Sequence, residues 1–326
     1  MPRSGIVVLD KPLGVSSFEA ARAVGRALGV RRVGHGGTLD PQASGVLPVC
    51  VGEATKLAGY LLGGDKEYEA TVLLGVATDT LDAEGRVTAR RDAGAVDAEA
   101  VRAAMARFVG PQAQKPPMYS AIRQGGRRLY ELARAGVEVE RAPRSIEVRA
   151  FELLQFEAGS CATARVRVAC SKGTYVRVLA ADLGEALGTG AHLSALRRTR
   201  SGPFSLAQAV APADVARCAP LPLSDALPGW PTMRLDGEGV RRVRNGQGIP
   251  AAPELCTAPP GTRVRLLSPE GELVALGELI APGEPVRTHG ETVARDEAGA
   301  SPAVRPLRVF HSELTEKATS AIVPGN

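Results

Sequence analysis

The stretch that decides the interpretation of this chain runs from residue 34 to residue 45 and reads Gly34-His35-Gly36-Gly37-Thr38-Leu39-Asp40-Pro41-Gln42-Ala43-Ser44-Gly45. A glycine-rich run costs conformational entropy, so it usually serves a backbone shape or a close approach. Asp40 precedes a proline, which favours an extended backbone there. The run fits neither a dinucleotide fingerprint nor a Walker A loop. It predicts a shaped loop that presents polar side chains, against the simpler alternative of an Asp-Pro turn.

Length and composition indicate a globular protein of ordinary make-up. At about 150 residues per domain, 326 residues predict about two domains. The fractions of hydrophobic (44%) and charged (23%) residues rule out wholesale disorder. No apolar run approaches the roughly 20 residues that cross a bilayer, and the N-terminal apolar stretch is too short for a signal peptide. We therefore expect no membrane association and a cytoplasmic location.

Metal and cofactor chemistry finds little support in the sequence. The five cysteines are scattered without a Cys-x-x-Cys pair, and the four histidines are isolated. There is also no Gly-x-Ser-x-Gly nucleophile elbow. We expect no metal, no external cofactor and no disulfide framework.

Positive charge is unevenly distributed along the chain. The net charge is only +5, yet residues 100–145 carry nine Lys or Arg against three Asp or Glu. Segregated positive charge attracts polyanions through counterion release. Charge alone leaves two interpretations open, namely a nucleic-acid surface or the solvated faces of an arginine-rich protein.

The pattern of apolar residues predicts alternating strands and helices followed by a small β domain. A helix is expected after the N-caps Ser16 and Ser17, with an apolar face of Phe18, Ala21, Val24 and Leu28 and an end at Gly29. A second helix is expected over 97–108, and a third from Val176. Strands are expected at residues 6–9, 46–51, 68–74, 162–170, 263–267, 273–276 and 304–310. Residues 33–52 are otherwise expected to form one long loop, and the five prolines between 212 and 231 indicate a connection.

Asp40 is the candidate for covalent chemistry. A carboxylate is ionised near neutral pH and needs no activating base to act as a nucleophile. In a dry pocket it does need a nearby cation to stay ionised. Arg177, after the turn at 173–176, is a candidate for that cation, unless it contacts phosphate or lies on the surface.

Together with Val46-Leu47-Pro48, the glycine-rich stretch resembles the signature of the TruB family of bacterial tRNA pseudouridine synthases. Five further blocks resemble motifs of that family in the same order, at residues 11–17, 66–68, 114–121, 171–177 and 196–204. The resemblance covers about residues 5–310. It implies an enzyme that isomerises uridine to pseudouridine in the tRNA T loop, at conventional position 55, by flipping the base out, cleaving its C–N bond, rotating it and rejoining it through C5.

The resemblance also implies an α+β architecture. Residues 1–234 would form a mixed-sheet pseudouridine synthase catalytic domain, with a tRNA-contacting segment at about 112–145. Residues 235–311 would form a small, β-rich, PUA-like RNA-binding domain, and residues 312–326 a tail. The expected partner is tRNA, through its T arm and also its acceptor stem, with no guide RNA and with the enzyme as a monomer.

Site residues follow by matching positions to the family motifs. Asp40 falls on the catalytic aspartate, Tyr68 on the aromatic that stacks on the target base, and Arg177 on the basic partner of the aspartate. Leu196 falls on an apolar residue near the active site. RNA contacts are implied for His35, which helps to hold the opened T loop, and for Lys11, Tyr175 and Arg123. Gly36 replaces the usual Thr, and Arg123 replaces the usual Lys.

Two other functions stay open at this point. The catalytic subunit of a box H/ACA guide-RNA particle shares the aspartate, although the segment around 118–131 fits the stand-alone enzyme better. A non-catalytic tRNA-binding or tRNA-folding protein on the same scaffold would keep the positive charge but lose Asp40, Tyr68 or Arg177. The sequence does not choose between an acylal-type and a glycal-type intermediate.

Overall fold

A computed structural model describes residues 4–120, 122–282, 284, 287, 288, 291, 292 and 302–311; the predicted tail at 312–326 lies outside them. The six described helices are α1 (Ser17–Leu28), α2 (Ala58–Leu61), α3 (Ala98–Ala106), α4 (Leu129–Arg134), α5 (Val176–Ala186) and α6 (Gly237–Arg244). The described strands up to residue 205 are β1 (Gly5–Lys11), β2 (Val33–His35), β3 (Ala43–Val51), β4 (Lys66–Leu74), β5 (Val76–Thr78), β6 (Val87–Arg90), β7 (Gly110–Gln114), β8 (Arg123–Gln124), β9 (Arg127–Arg128), β10 (Arg144–Glu157), β11 (Thr163–Cys170), β12 (Ala191–Ser201) and β13 (Phe204–Ser205). The later ones are β14 (Thr232–Arg234), β15 (Ile249–Pro250), β16 (Arg263–Leu267), β17 (Leu273–Ile280), β18 (Arg287–Thr288), β19 (Glu291–Thr292) and β20 (Ala303–Val309).

A mixed sheet forms the centre of the first unit. Its strands lie in the order β1-β3-β12-β4-β11-β10-β7, with β2 paired to β3 and β13 paired to β12. All of these pairs are antiparallel except β12 with β3, which run parallel. The parallel pair places Leu196 beside Ala43 and Arg198 beside Gly45, so β12 lies against the strand that follows the glycine-rich loop.

Helix α1 shows how local sequence signals fix the start of the fold. The Ser16 hydroxyl accepts a hydrogen bond from the Glu19 N–H, and the Glu19 carboxylate accepts one from the Ser16 N–H. Gly29 ends the helix in the left-handed conformation. The buried face carries Ala20, Ala21 and Val24. Phe18, expected on that face, is instead 63% exposed.

The main core lies between one face of the sheet and helices α1, α3 and α5. In β11 it takes Ala164, Val166 and Val168, all fully buried, while Arg165 and Arg167 point to the opposite face. This alternation is the one that the sequence predicts for the strand. Tyr68 of β4 belongs to the same core cluster at 8% exposure, which places it on the helix side of the sheet.

A second sheet follows in the order β14-β16-β17-β20-β15. Its first strand begins at Thr232, just before the boundary predicted at residue 235. It packs on the β1 and β3 end of the first sheet through an apolar cluster in which Ile6, Val8 and Val46 meet residues of the second unit, namely Leu267, Leu273, Leu276 and Phe310. Lys56 also donates to the Val309 carbonyl at 2.7 Å. The two units therefore share a buried apolar interface.

Most of the predicted elements are present, and the main errors concern residues 33–52. The structure places strand β2 at Val33–His35, and β3 begins at Ala43 rather than at residue 46. The loop is therefore the short segment 36–42. The long strand β10 and the central strand β12 were not predicted, because neither shows sustained apolar alternation.

Candidate active site

The loop between β2 and β3 is held from below, so that Asp40 projects from a fixed backbone. The Ser17 hydroxyl donates to the Leu39 carbonyl at 2.8 Å and accepts from the Leu39 N–H at 2.7 Å. The Pro41 carbonyl accepts from the Gly14 N–H at 2.9 Å. The carboxylate of Asp40 remains 52% exposed and is therefore accessible to a substrate.

Arg177 bridges two carboxylates from different parts of the chain. It lies in the first turn of α5 and is only 7% exposed. Its Nη2 lies 3.2 Å from Asp40 Oδ2, and its Nη1 donates to Asp82 Oδ2 at 3.0 Å. Nη2 also donates to the Tyr119 carbonyl at 2.6 Å. The pairing of Asp40 with Arg177, predicted from the sequence as a candidate, is present in the structure.

Asp82 is the member of this group that the sequence analysis missed. It follows Leu81, whose φ of +65° is unusual for a residue with a branched side chain. The turn is held by the Thr78 hydroxyl, which donates to the Asp82 carbonyl at 2.7 Å, and by the Leu193 N–H, which donates to the Leu81 carbonyl at 3.0 Å. Turn residues of this kind give no pattern from which a distant arginine partner could be inferred.

A cavity of about 210 Å³ lies beside Asp40. It brings together five of the residues predicted for the site, namely Asp40, Tyr68, Tyr175, Arg177 and Leu196. It is also lined by three cations outside that set, Lys66, Lys172 and Arg198. A second cavity of about 260 Å³ adjoins the first and shares Asp40, Arg177 and Leu196 with it. The site is thus an open groove with Asp40 at its centre.

Arg198 is fully buried beneath the loop and was not predicted. Its guanidinium donates to the carbonyls of Val46 at 2.7 Å, Gly37 at 3.1 Å and Thr38 at 3.3 Å, and Tyr68 is its cross-strand neighbour in β4. Gly45 allows the backbone of β12 to lie this close to β3, because its φ is +102° and a Cβ there would lie 2.2 Å from the Arg198 carbonyl oxygen.

The residues predicted to contact RNA differ in their position relative to the main cavity. Tyr175 lines the main cavity. Lys11 is fully buried, and its Nζ donates to the carbonyls of Pro12 and Val15 at 2.8 Å and of Pro41 at 3.4 Å. Its predicted direct contact with RNA is therefore replaced by a role in holding the loop. Arg123 lies in the short strand β8, and its side chain is outside the described part of the structure.

His35 lies in β2 beside the loop and does not line the main cavity. Burial lowers the pKa of His35, and the nearby Arg198 lowers it further, so the ring is neutral at neutral pH. Its Nδ1 is buried and has no hydrogen-bond partner among the described residues. A neutral ring with a free nitrogen can still pack against a nucleobase.

Gly36, which replaces the usual Thr, is matched to its surroundings. A Cβ at this position would lie 2.7 Å from Cβ of Leu61, too close for any ordinary contact. Leu61 of α2 therefore occupies the space that a larger side chain at position 36 would need. The departure from the family pattern at this position is explained by packing.

No group of three or more His, Cys, Asp or Glu is placed to hold a metal ion within the described ranges. Over the same ranges, no helix combines the length and the apolar character that crossing a membrane requires.

Comparison with known proteins agrees with this geometry. Residues 25–176 match the TruB family pseudouridylate synthase (N terminal domain), and residues 177–220 match the tRNA pseudouridylate synthase B C-terminal domain. The tRNA pseudouridine synthase B of Symbiobacterium thermophilum is 51% identical over 244 residues, which cover 74% of this chain and 82% of that protein. That of Pseudomonas aeruginosa is 44% identical over 291 residues, which cover 86% and 93%.

Among solved structures, the archaeal box H/ACA sRNP Nop10-Cbf5 complex contains a chain that superposes with a TM-score of 0.68 at 28% identity, covering 95% of this chain and 87% of that one. A chain in a Cbf5-Nop10-Gar1 complex gives 0.69 at 28%. Together with the carboxylate and arginine cluster in its groove, the fold defines a pseudouridine synthase. The chain belongs to the TruB family of tRNA pseudouridine synthases.

Proposed function

We propose that this enzyme isomerises the uridine at position 55 of the tRNA T loop, with Asp40 as the catalytic carboxylate. The observation that carries the proposal is the bridge from Arg177 to Asp40 and Asp82 at the edge of a cavity that Tyr68 lines. It combines an accessible carboxylate, a buried cation paired with it and an aromatic ring in one groove.

The groove suits a base that has left its stack. A uridine within a folded loop must be flipped out before its glycosidic bond can be reached. Stacking on an aromatic side chain contributes on the order of 1–3 kcal/mol per base, and Tyr68 and Tyr175 both line the cavity. Leu196, half-buried beside them, offers apolar contact.

The reaction needs only one carboxylate at the sugar. Either Asp40 attacks C1′ as the N1–C1′ bond breaks, or it removes the proton from C2′, and in both cases the bonding pair leaves with the uracil. The detached base then rotates. On the first route C5 bonds to C1′ as the Asp40–C1′ bond breaks and the carboxylate leaves; on the second, C5 adds to C1′ and Asp40 returns its proton to C2′. On both routes the C5 proton then leaves to restore the ring. The guanidinium of Arg177 holds Asp40 in place for either route.

Further RNA contacts would surround this groove. We assign the loop-holding contact to His35 and further contacts to Tyr175, Arg123 and the segment 112–145. We also assign residues from about 235 to a PUA-like RNA-binding domain that contacts the acceptor stem. Its α6 carries Arg241, Arg242 and Arg244 in its last turn. A monomeric enzyme in the cytoplasm is the expected setting.

The guide-dependent alternative rests on the solved structures alone. Those chains are 28% identical, whereas the relatives named tRNA pseudouridine synthase B reach 44–51%. The difference in identity supports the stand-alone enzyme.

Tritium release from C5-labelled uridine tests the proposal. The substrates are an unmodified tRNA transcript, the same transcript with cytidine at position 55, and an isolated T-arm hairpin, all without guide RNA. We expect stoichiometric release of one tritium from the first and third, and none above background from position 55 of the second. Release only after addition of a guide RNA would favour the H/ACA type, and tight binding without release would favour a non-catalytic tRNA-folding protein.

A further inference from the structure

Three cations are buried around the catalytic loop without an acidic partner. Lys11 is 0%, Arg198 1% and Lys66 8% exposed. Within the described residues none of them forms an ion pair, and each donates instead to backbone carbonyls. Buried cations are normally paired, because removal from water is costly. An unpaired buried cation that also faces a substrate cavity indicates a functional role.

Lys66 is the one of the three with a donor to spare towards the cavity. An ammonium group has three N–H donors. Two of them go to the carbonyls of Leu62, at 2.9 Å, and Gly64. Lys66 lines the cavity and lies on the same face of β4 as Tyr68. Burial lowers the pKa of Lys66 to about 8, which still leaves it mostly protonated at pH 7.

Arg198, by contrast, is occupied by the loop. Its hydrogen bonds to three carbonyls engage all three guanidinium nitrogens, and Tyr68 is its cross-strand neighbour. Lys66 and Arg198 approach the loop from the same side: a Cβ at Gly37 would lie 3.5 Å from Arg198 Nη1 and 3.8 Å from Lys66 Cε. Arg198 is therefore placed to fix the loop and the ring of Tyr68 rather than to reach the substrate.

The proposed reaction creates an anion in this cavity. When the N1–C1′ bond breaks, its electron pair stays on uracil and spreads over N1, O2, O4 and C5. Arg177 does not balance this charge: Asp40 is neutral once it has bonded to the sugar or taken its proton, and Arg177 remains paired with the Asp82 carboxylate. A positioned donor outside that cluster is required to stabilise the developing anion.

We propose that Lys66 is a further catalytic residue, which donates its third N–H to a carbonyl oxygen of the detached uracil, and that Arg198 is a positioning residue for the loop and Tyr68. The proposal rests on the proposed function. The charge appears with C–N cleavage and disappears when C5 bonds to C1′, so Lys66 holds the base in the interval without changing its own protonation.

The first test compares two Lys→Met variants under single turnover with saturating tRNA transcript. Lys66→Met removes the proposed donor. Lys56→Met removes a partly buried lysine that pairs with Glu53 at 2.5 Å and lines neither cavity. Removing one donor to a developing oxyanion typically lowers the rate about 10²–10³-fold. We expect that loss for Lys66→Met with tRNA affinity within about threefold, and a rate within threefold of wild type for Lys56→Met.

The second test changes the stability of the anion. Fluorine at C5 withdraws electrons and makes uracil a better leaving group, so a transcript with 5-fluorouridine at position 55 depends less on Lys66. Its consumption is followed by chromatography of digested nucleosides. We expect the loss caused by Lys66→Met to be at least tenfold smaller on this RNA than on uridine RNA.

Equal losses on the two RNAs, or a Lys66→Met rate within threefold of wild type, would overturn the proposal. If the Met variant melts below the assay temperature, Lys66→Gln, which retains donors for the two carbonyls, takes its place with the same thresholds. If wild-type enzyme fails to isomerise the uridine transcript, the proposed function itself fails, and the two outcomes are thereby distinguished.

Discussion

The two faces of the central sheet treat positive charge in opposite ways. On the inner face, Lys66 and Arg198 are buried and hydrogen-bond backbone carbonyls near the loop that carries Asp40. On the outer face, Arg167 pairs with Glu67 at 2.6 Å and Glu152 at 3.0 Å, and all three side chains are partly exposed. The comparison suggests that the carboxylate-paired cations of this sheet are structural, whereas the carbonyl-held ones serve the site.

Strand β4 makes the contrast within four residues. Its side chains alternate between faces, so Lys66 and Tyr68 line the main cavity, whereas Glu67 and Glu69 lie on the other face, where Glu69 borders the second cavity. The Lys-x-Tyr spacing is thus the period of a strand that delivers two side chains to one groove. On the outer face, ion pairs link neighbouring strands, between Arg165 and Glu69 and between Arg167 and Glu67.

The largest expected effect comes from Asp40→Asn on the inner face. The change keeps the size of the side chain but removes its charge and nucleophilicity. We expect kcat to fall about 10⁴-fold or more, with tRNA affinity within about tenfold, or 1.4 kcal/mol. Arg177 retains its hydrogen bonds to Asp82 and Tyr119, so the fold should persist. Single-turnover kinetics and filter binding check both expectations, and turnover within tenfold of wild type would remove Asp40 from the catalytic role.

A matched pair of Arg→Lys changes sharpens the comparison between the faces. Arg198→Lys keeps the charge but cannot reach three carbonyls in the way that a planar guanidinium does. We expect kcat to fall about 10–100-fold and the free energy of unfolding to fall by about 1–3 kcal/mol, because buried carbonyls lose their donors. Arg167→Lys on the outer face, at a residue that lines neither cavity, should change kcat less than threefold. If the two variants lose the same amount of unfolding free energy in urea and the same factor in kcat, the two faces of the sheet do not differ in function.

The arginines of α6 form an intermediate case. Arg241 is exposed and pairs with Glu238 at 3.4 Å, and Arg242 donates to the Gly248 carbonyl at 3.0 Å. If this domain contacts phosphates, the double change of Arg241 and Arg242 to Gln should raise KM for full tRNA about 3–10-fold and reduce its salt dependence. The T-arm hairpin should be unaffected. An equal rise on both RNAs would mean that α6 does not contact the acceptor side.

Point changes are preferable here to removal of the second unit. Deleting residues from 235 would expose Ile6, Val8 and Val46 of the first sheet, which the cluster around Leu276 and Phe310 covers. Both substrates would then suffer from loss of stability rather than from loss of contacts. The full-length variants avoid this confusion.

The sequence predicts the parts of the site that lie in local patterns. Asp40 and Arg177 each follow a recognisable loop or turn motif, and their contact is present at 3.2 Å. Asp82 and Arg198 were missed because their roles depend on tertiary contacts, with partners 95 and about 150–160 residues away along the chain. The predicted contact of Lys11 with RNA came from the family resemblance, and sequence alone does not show that this side chain is fully buried.

The smallest expected effect tests the outer face directly. Arg167→Met removes a partly exposed cation from its pairs with Glu67 and Glu152. Exposed pairs contribute about 0.2–1 kcal/mol, so we expect a loss of that size in the free energy of unfolding at pH 7 and no change in kcat. The hydrogen bond from Arg167 lowers the pKa of Glu67 below its ordinary 4.5.

This lowered pKa makes the effect of the variant depend on pH. A carboxyl whose pKa is lower in the folded state adds to the free energy of unfolding above its unfolded pKa, and this contribution is lost as the pH falls through the folded pKa. The difference between wild type and variant should therefore be full at pH 7 and shrink as the pH drops below 4.5. Urea unfolding across this range measures it, and a difference that grows in acid, or a tenfold loss of kcat, would show that the outer face also serves the site.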